Sequence, residues 1–153
     1  MISCYQLNVA HPRTDQPLFE GASFEVDDGE WAEIQGASGA GKTLLFGLLS
    51  LRSQISDVKL IVAGRNTTRL SPEGLAELRK RVGSCPEEPR YLEDRTLTEN
   101  LLLPFVARGA HEAAYEKVSE LLVRVGMDPL SDVSMQKLSL TERSAAGVLR
   151  AIV

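Results

Sequence analysis

A glycine-rich segment with one lysine has the residue types and the spacing needed to hold a polyphosphate. It follows the pattern Gly-x-x-x-x-Gly-Lys-Thr over residues 36–43. Glycine permits the backbone angles that turn successive N–H groups towards one anion, and a helix that begins at the end of such a loop directs its positive end at the same place. The pattern therefore predicts a nucleotide phosphate site, formed by Gly36, Ala37, Ser38, Gly39, Ala40, Gly41, Lys42, Thr43 and Leu44.

Two side chains of this loop have chemistry of their own. Lys42 can reach the β- and γ-phosphates of a nucleoside triphosphate, and the hydroxyl of Thr43 can bind Mg²⁺. ATP and Mg²⁺ are the expected ligands. The alternative is a glycine-rich turn with a surface lysine, but a strand pattern before the loop and a helix pattern after it favour the phosphate site.

The elements around the loop alternate between strand and helix patterns. Strands are predicted over residues 2–9, 22–26, 31–35 and 58–62, and the third of these leads directly into the loop. The helix after the loop is expected to be buried, because apolar residues cover most of its circumference. These residues are Leu44, Leu45, Phe46, Leu48 and Leu49. The alternation indicates an α/β layer fold.

Further helices are marked by their first residues. Ser71 and Pro72 can serve as the cap and the first residue of one helix. Capping-box patterns beginning at Thr96 and Ser139 predict two more, and we expect Pro104 to end or kink the first of them. A helix between these two is expected to stop at Gly126.

The last helix is predicted to bury one apolar stripe, formed by Ala145, Val148, Leu149 and Ile152. Helical patterns dominate the chain from about residue 96 onward. We therefore predict two parts, a strand-rich nucleotide-binding core over residues 1–95 and a helical subdomain over residues 96–153.

Composition limits the possible partners. The chain has 153 residues and a net charge of −4, which gives no electrostatic basis for binding nucleic acid. Its two cysteines are far apart in the sequence, so we expect no disulfide framework. We expect a cytosolic location, where thiols stay reduced. No secretory signal is visible, and the longest apolar run is too short to cross a bilayer, so we expect any membrane role to come through a partner.

The motifs together resemble a known family. Residues 24–31, the glycine-rich loop, residues 70–79 and residues 96–104 are similar, in order and spacing, to the ATP-binding subunit of ABC transporters. The resemblance implies an α/β phosphate-loop ATPase that has a helical lobe. It implies that this ATPase works as a dimer with a second ATP-binding subunit. It also implies a membrane-embedded permease as partner and a cytoplasmic location at the inner face of the membrane.

The resemblance assigns roles to further residues. Glu87 stands where the family has the glutamine that helps to hold Mg²⁺ and the attacking water. Ser139, Leu140, Thr141 and Glu142 stand in the family's signature segment, with both of its glycines replaced. An alternative is that Ser139 and Glu142 only cap a helix. His11 or Arg13 lies where the family stacks an aromatic ring on adenine.

One expected motif is missing from the sequence. No acidic pair follows an apolar strand, so the Walker B segment and its catalytic glutamate are not found, and the chain looks truncated before them. The resemblance then implies an incomplete core sheet and marginal stability. Three functions stay open: a transport ATPase subunit, a degenerate nucleotide-binding module that regulates an intact partner without hydrolysis, and a structural piece that needs another chain to fold.

Overall fold

The computed structural model describes residues 1–11, 14–53, 58–110 and 113–153. The chain divides into two compact units, Met1–Arg81 and Val82–Val153. The first contains all the strands of the described chain, and the second contains helices and short 3₁₀ turns. This agrees with the predicted α/β phosphate-loop fold, in which a strand-rich part precedes a helical lobe.

The first unit is built on a four-stranded sheet in the order β2-β1-β3-β4. Its strands are β1 (Ile2–Ala10), β2 (Pro17–Val26), β3 (Lys59–Val62) and β4 (Arg65–Asn66). Every pairing in the sheet is antiparallel. Three of the four predicted strands are therefore confirmed, and β2 is longer than the alternation of residues 22–26 indicated.

Helix α1 (Lys42–Leu49) follows the glycine-rich loop, as predicted. Leu45 and Leu48 are buried in it, whereas Leu44, Phe46 and Leu49 are half-buried, so the predicted burial is confirmed only in part. Residues 31–35 were predicted as a strand and form none, because no described strand lies beside them to accept their hydrogen bonds.

Helix α2 (Pro72–Arg79) completes the first unit and begins as predicted. The side-chain oxygen of Ser71 accepts a hydrogen bond from the backbone N–H of Gly74 at 3.2 Å, and Pro72 is the first helical residue. Leu75 and Leu78 are buried. The Arg79 guanidinium donates to the carbonyl oxygen of Leu51 at 2.7 Å, which ties the end of α2 to the turn after α1.

The second unit contains α3 (Leu97–Arg108), α4 (Ala114–Arg124) and α5 (Leu140–Ile152). Both predicted capping boxes are present, at Thr96 and at Ser139. Gly126 has a φ of 71°, as expected of a residue that stops a helix in the left-handed conformation. No described helix is long and apolar enough to cross a membrane.

Pro104 does not end α3, which continues to Arg108. An interior proline costs a helix about 3 kcal/mol. Leu97, Leu101 and Phe105 are buried on both sides of it, and each contributes about 1.5–3 kcal/mol. The packing therefore outweighs the lost hydrogen bond, and the Nε atom of Arg108 also donates to the carbonyl oxygen of Pro104 at 3.1 Å.

The buried face of α5 differs from the predicted stripe. Ala146, Gly147 and Leu149 are buried, whereas Val148 is 50% exposed and Ile152 is 67% exposed. The segment before α3 packs against Gly147, and only a residue without a side chain fits there. A count of apolar residues could not anticipate a contact of this kind.

The compact units divide at residues 81–82, earlier than the predicted change at residues 95–96. The reason is that residues 82–95 are hydrogen-bonded to the helices of the second unit. Asn100 is fully buried, and its side chain exchanges hydrogen bonds with the backbone of Leu92 at 2.9 and 3.0 Å. Arg150 of α5 donates to the carbonyl oxygen of Arg90 at 2.7 Å. The roles assigned to the two parts remain predictions.

Candidate phosphate-binding site

The glycine-rich loop is curled in the structure. Between its two ends the backbone N–H of Ala40 donates to the carbonyl oxygen of Ala37 at 3.2 Å, which closes a tight turn. A Cβ atom added to Gly36 would lie 3.3 Å from the Cβ of Ala40, so the start of the loop approaches its far side closely. Gly39 and Gly41 have φ angles of 81° and 87°, which only glycine adopts without strain.

The Lys42 side chain folds back over this curl. Its Nζ atom donates to the carbonyl oxygens of Gly36 at 2.7 Å and Ala37 at 2.8 Å. The positive charge is thereby held at the mouth of the loop, close to the N-terminus of α1. A group placed in this way can interact with an anion that sits on the helix terminus.

Several backbone N–H groups at this helix terminus are available to a ligand. Those of Gly41, Lys42, Thr43 and Leu44 have no hydrogen-bond partner among the described residues, and α1 has no side-chain cap. The hydroxyl of Thr43 also has no described partner and is exposed to solvent. The loop residues from Gly36 to Ala40 are exposed as well. These groups together present donors and one cation, which is the set that a phosphate group requires.

Phe19 contributes to the loop and was missed at the sequence level. A Cβ atom added to Gly41 would lie 3.0 Å from Cε2 and 3.1 Å from Cζ of the Phe19 ring. The aromatic ring of β2 therefore supports the loop where α1 begins, and Gly41 allows the close approach. The sequence alone could not predict this contact, because Phe19 and Gly41 lie in different elements and no sequence pattern indicates that these elements touch.

Of the two residues predicted to contact adenine, only His11 is among the described residues. His11 follows β1, and its Nδ1 atom accepts a hydrogen bond from the backbone N–H of Thr14 at 3.3 Å. The backbone N–H of His11 donates to the carbonyl oxygen of Gln16 at 2.7 Å, so the residue helps to shape the turn between β1 and β2. Arg13 lies outside the described residues. Stacking of either side chain on adenine remains a prediction.

The signature-like segment begins α5 in the second unit. The side-chain oxygen of Ser139 accepts from the N–H of Glu142 at 3.3 Å, and the Glu142 carboxylate accepts from the N–H of Ser139 at 2.7 Å. The hydrogen bond from the Ser139 hydroxyl lowers the pKa of Glu142. Both side chains thus cap the helix. Leu140 is 84% exposed, and Thr141 is exposed too.

Glu87 lies in the irregular segment that precedes α3. It is exposed and makes no hydrogen bond or ion pair with any residue in the described part of the chain. The same segment is fixed close by, because the Glu93 carboxylate pairs with both terminal nitrogens of Arg143 at 2.5 and 2.6 Å. This pairing lowers the pKa of Glu93. The Tyr91 hydroxyl donates to the carbonyl oxygen of Arg143 at 2.5 Å.

Gly147 is the second contact that sequence reasoning missed. A Cβ atom on it would lie 2.7 Å from Cγ of Pro89, 2.9 Å from the Tyr91 hydroxyl and 3.0 Å from Sγ of Cys85. The segment that carries Glu87 therefore rests directly on the backbone of α5. A signal was present in this case, because a glycine inside an apolar helical pattern indicates a close approach.

Comparison with known proteins places this geometry in a family. The model of the ABC transporter family matches residues 19–153. The chain is 31% identical over 140 residues to a bacitracin export ATP-binding protein of Halalkalibacterium halodurans, with 90% of this chain and 55% of that protein covered. It is 30% identical over 154 residues to a cell division ATP-binding protein of Haemophilus influenzae, with 100% of this chain and 71% of that protein covered.

The fold is shared with solved structures at lower sequence identity. An ATP-binding cassette, solved as a dimer in a post-hydrolysis state with ADP and Pi, matches with a TM-score of 0.87 and 18% identity, covering 99% of this chain and 69% of that chain. The chain spans little more than half the length of the bacitracin export protein. From its sequence and its fold, the chain belongs to the ABC transporter family.

Proposed function

We propose that the glycine-rich loop binds ATP and that the chain serves as an ATP-binding subunit of an ABC-type membrane transporter. The observation that carries the proposal is the curled loop, in which Lys42 Nζ lies 2.7 Å from the carbonyl oxygen of Gly36 and the N–H groups of Gly41–Leu44 lack described partners. The names of the bacitracin export and cell division relatives, both ATP-binding proteins, support the same function.

Binding would use the groups already in place. The unpartnered N–H groups at the start of α1 would donate to phosphate oxygens, where the helix dipole also favours negative charge. The Lys42 ammonium would exchange its bonds to Gly36 and Ala37 for bonds to phosphate, and charge-assisted hydrogen bonds of this type are about twice as strong as neutral ones. The loop is exposed, so a nucleotide needs no opening step to reach it.

The hydroxyl of Thr43 fits the role of a Mg²⁺ ligand, because it is exposed, lacks a described partner and follows Lys42 directly. The described residues contain no group of three or more side chains suited to a metal ion. Mg²⁺ commonly keeps several waters and binds through one or two protein groups together with substrate phosphates. The metal, when bound, would neutralise part of the triphosphate charge, and a role for Glu87 as a further ligand remains a prediction from the family resemblance.

The residues at the start of α5 would act on nucleotide through their backbone. The side chains of Ser139 and Glu142 are already bonded to each other, and the N–H groups of Leu140 and Thr141 have no described partners. A helix terminus of this kind can accept an anion from a second subunit. The similar cassette solved as a dimer supports a second ATP-binding subunit as partner. Membership of the ABC transporter family supports a membrane-embedded permease as the other partner, which would hold this chain at the inner face of the membrane.

Mg-ATP binding and phosphate release, measured in parallel on the purified chain, test the proposal. We expect saturable binding that Lys42→Ala weakens by about 100-fold, because a charge-assisted bond and its partner's desolvation are lost together. The matched control is Lys80→Ala, which removes a lysine whose only described ion pair is an exposed one with Glu77. Binding that is equal in all three proteins would contradict the proposal.

Phosphate release separates the transport ATPase from the regulatory module. Steady release that disappears in Lys42→Ala would assign hydrolysis to this loop and exclude a module that only holds nucleotide. ATP binding without phosphate release would support the nucleotide site and would show that the chain alone does not hydrolyse ATP.

A further inference from the structure

A small pocket lies in the second unit, between α3, α4 and the turn that follows α4. Its volume is about 70 Å³, which leaves room for a few groups the size of a water molecule. Its lining residues are Thr98 from α3, Tyr115, Ser119 and Leu122 from α4, and Asp128 and Ser131 from the turn. All of them except the leucine have a side-chain oxygen atom, and none is a lysine or an arginine. The pocket therefore offers oxygen atoms and one negative charge.

Most of these side-chain oxygen atoms are not used by the rest of the protein. The Asp128 carboxylate and the hydroxyls of Ser119 and Ser131 make no hydrogen bond or ion pair with any residue that the structure describes. Thr98 is 8% exposed, and its hydroxyl donates to the carbonyl oxygen of Ser131 at 3.0 Å. A hydroxyl that has already given its proton to a carbonyl can offer a ligand only its lone pairs. The buried wall of the pocket is therefore an acceptor.

The helix termini near the pocket do not favour an anion. The backbone N–H groups of Leu97, Thr98 and Glu99, in the first turn of α3, all donate within the protein, at 3.0, 3.1 and 3.1 Å. This helix start therefore has no free donor for an anion. Leu122 lies in the last turn of α4, and the carbonyl end of a helix favours a positive charge. The charge and the donors around the pocket both point to a cation.

We infer that this pocket binds a monovalent cation of the size of K⁺, held by the Asp128 carboxylate and by the hydroxyl oxygens of Thr98, Ser119 and Ser131. One carboxylate balances one positive charge. A divalent ion would keep an excess charge among neutral hydroxyls, and the affinity of oxygen sites for Ca²⁺ depends on the number of charged ligands. No group of three or more carboxylate, imidazole or thiol side chains suited to a metal ion occurs in the described ranges.

A cation at this place would connect three elements of the second unit, because Thr98 belongs to α3, Ser119 to α4 and Asp128 to the turn. We expect it to stabilise their packing, since a ligand that binds only the folded state lowers the population of the unfolded one. Cation binding here requires no nucleotide. It can therefore succeed or fail independently of the proposed function.

The first measurement follows the pocket residues directly. The full chain, labelled with ¹⁵N, is titrated with KCl, which replaces choline chloride step by step at constant ionic strength. Choline is a bulky cation that a pocket of this volume does not admit. We expect saturable shifts of the amide resonances of Ser119, Asp128 and Ser131, and no shift of Lys42, which lies in the first unit.

Urea unfolding of the helices, followed by far-UV circular dichroism, provides the second measurement. The equilibrium constant of unfolding falls by the factor 1 + [K⁺]/Kd when K⁺ binds only the folded state. At a K⁺ concentration of about ten times the Kd, unfolding should therefore be about tenfold less favourable than in choline chloride of the same ionic strength.

Three variants separate the site from a general salt effect. Asp128→Asn keeps the shape of the side chain but removes the only charge in the pocket, so both effects should disappear. Asp132→Asn is the matched control, because Asp132 is exposed, does not line the pocket and has no described partner. Ser119→Ala should weaken K⁺ binding by about fivefold, since one neutral ligand is lost. Alanine suits a helix, so α4 should stay folded in this variant.

Three results would overturn the inference. One is the absence of saturable shifts at Ser119, Asp128 and Ser131 on titration with KCl. Another is the same K⁺ response in Asp128→Asn as in the unaltered chain. The third comes from a parallel titration with CaCl₂: shifts of the same amides that saturate at lower concentrations than with K⁺ would assign the pocket to a divalent cation.

Discussion

The ammonium nitrogen of Lys42 lies 2.7 Å from the carbonyl oxygen of Gly36, six residues earlier in the chain. This contact, with a second one to Ala37 at 2.8 Å, draws the start of the loop towards the first residue of α1. The residue proposed to bind phosphate therefore also contributes to the shape of the loop.

Removal of the Lys42 ammonium should loosen the loop in the absence of nucleotide. In Lys42→Ala we expect faster amide hydrogen exchange across residues 36–41, because the two bonds that draw the loop together are lost. The measurement is exchange followed residue by residue, with Lys80→Ala as the control. Unchanged exchange in Lys42→Ala would mean that the backbone turn at residues 37–40 holds the curl alone.

Replacement of Gly41 by alanine should destabilise the first unit more than the same change at Gly29. Both glycines have φ near 85°, which costs a residue with a side chain about 1–2 kcal/mol. At Gly29 a Cβ atom would meet nothing within 4 Å, whereas at Gly41 it would lie 3.0 Å from the Phe19 ring. We expect urea unfolding to show an extra loss of about 1 kcal/mol for Gly41→Ala. Equal losses of stability in the two variants would show that Phe19 does not support the loop.

Replacement of Gly147 by alanine should destabilise the second unit. The added methyl group would fall 2.7 Å from Pro89 Cγ and 2.9 Å from the Tyr91 hydroxyl, and overpacking of this kind costs about 1–3 kcal/mol. Val148, the next residue, is 50% exposed, so Val148→Ala should change the free energy of unfolding by less than about 0.5 kcal/mol. If the two variants unfold alike, the segment before α3 does not rest on α5 as described.

Acid should weaken the second unit through Glu93 and Glu142. Their pKa values are lowered, for Glu93 by its hydrogen bonds from Arg143 and for Glu142 by the Ser139 hydroxyl. The unfolded chain would bind protons at the ordinary glutamate pKa of about 4.3, before the folded chain does. Their stabilisation is therefore complete above that pH and is lost as the pH falls through the lowered values.

Urea unfolding as a function of pH measures this effect. The fall in stability between about pH 6 and pH 3 should be smaller in Glu93→Gln, which has no carboxylate to protonate. Glu116→Gln is the matched control, since Glu116 is exposed and makes no described ion pair. A Glu93→Gln chain with the same acid dependence as the unaltered one would contradict the assignment.

Local patterns predicted those features that depend on local chemistry. The glycine spacing identified the loop, and the Ser71, Thr96 and Ser139 caps marked the starts of α2, α3 and α5. Each of these rests on neighbouring residues whose contacts the sequence itself brings together. The family followed from the order of such motifs, and the comparisons confirm it.

Features that depend on distant contacts were not predicted. Residues 31–35 have the composition of a strand, but a strand needs a partner, and none of the described strands supplies one. Positions 147 and 41 require glycine because Pro89 packs closely against the first and the Phe19 ring against the second. Pro104 remains within its helix because buried residues on both sides outweigh its local preference. In each case tertiary packing decided against the pattern.

The most direct test of the phosphate site follows the loop amides themselves. The full chain, labelled with ¹⁵N, is titrated with Mg-ATP and, in parallel, with adenosine, which carries no phosphate. If the loop binds phosphate, Mg-ATP should shift the amide resonances of Gly41, Lys42 and Thr43 saturably, and adenosine should leave them unchanged. Saturable Mg-ATP binding with shifts elsewhere and none in these three amides would contradict phosphate binding by the loop.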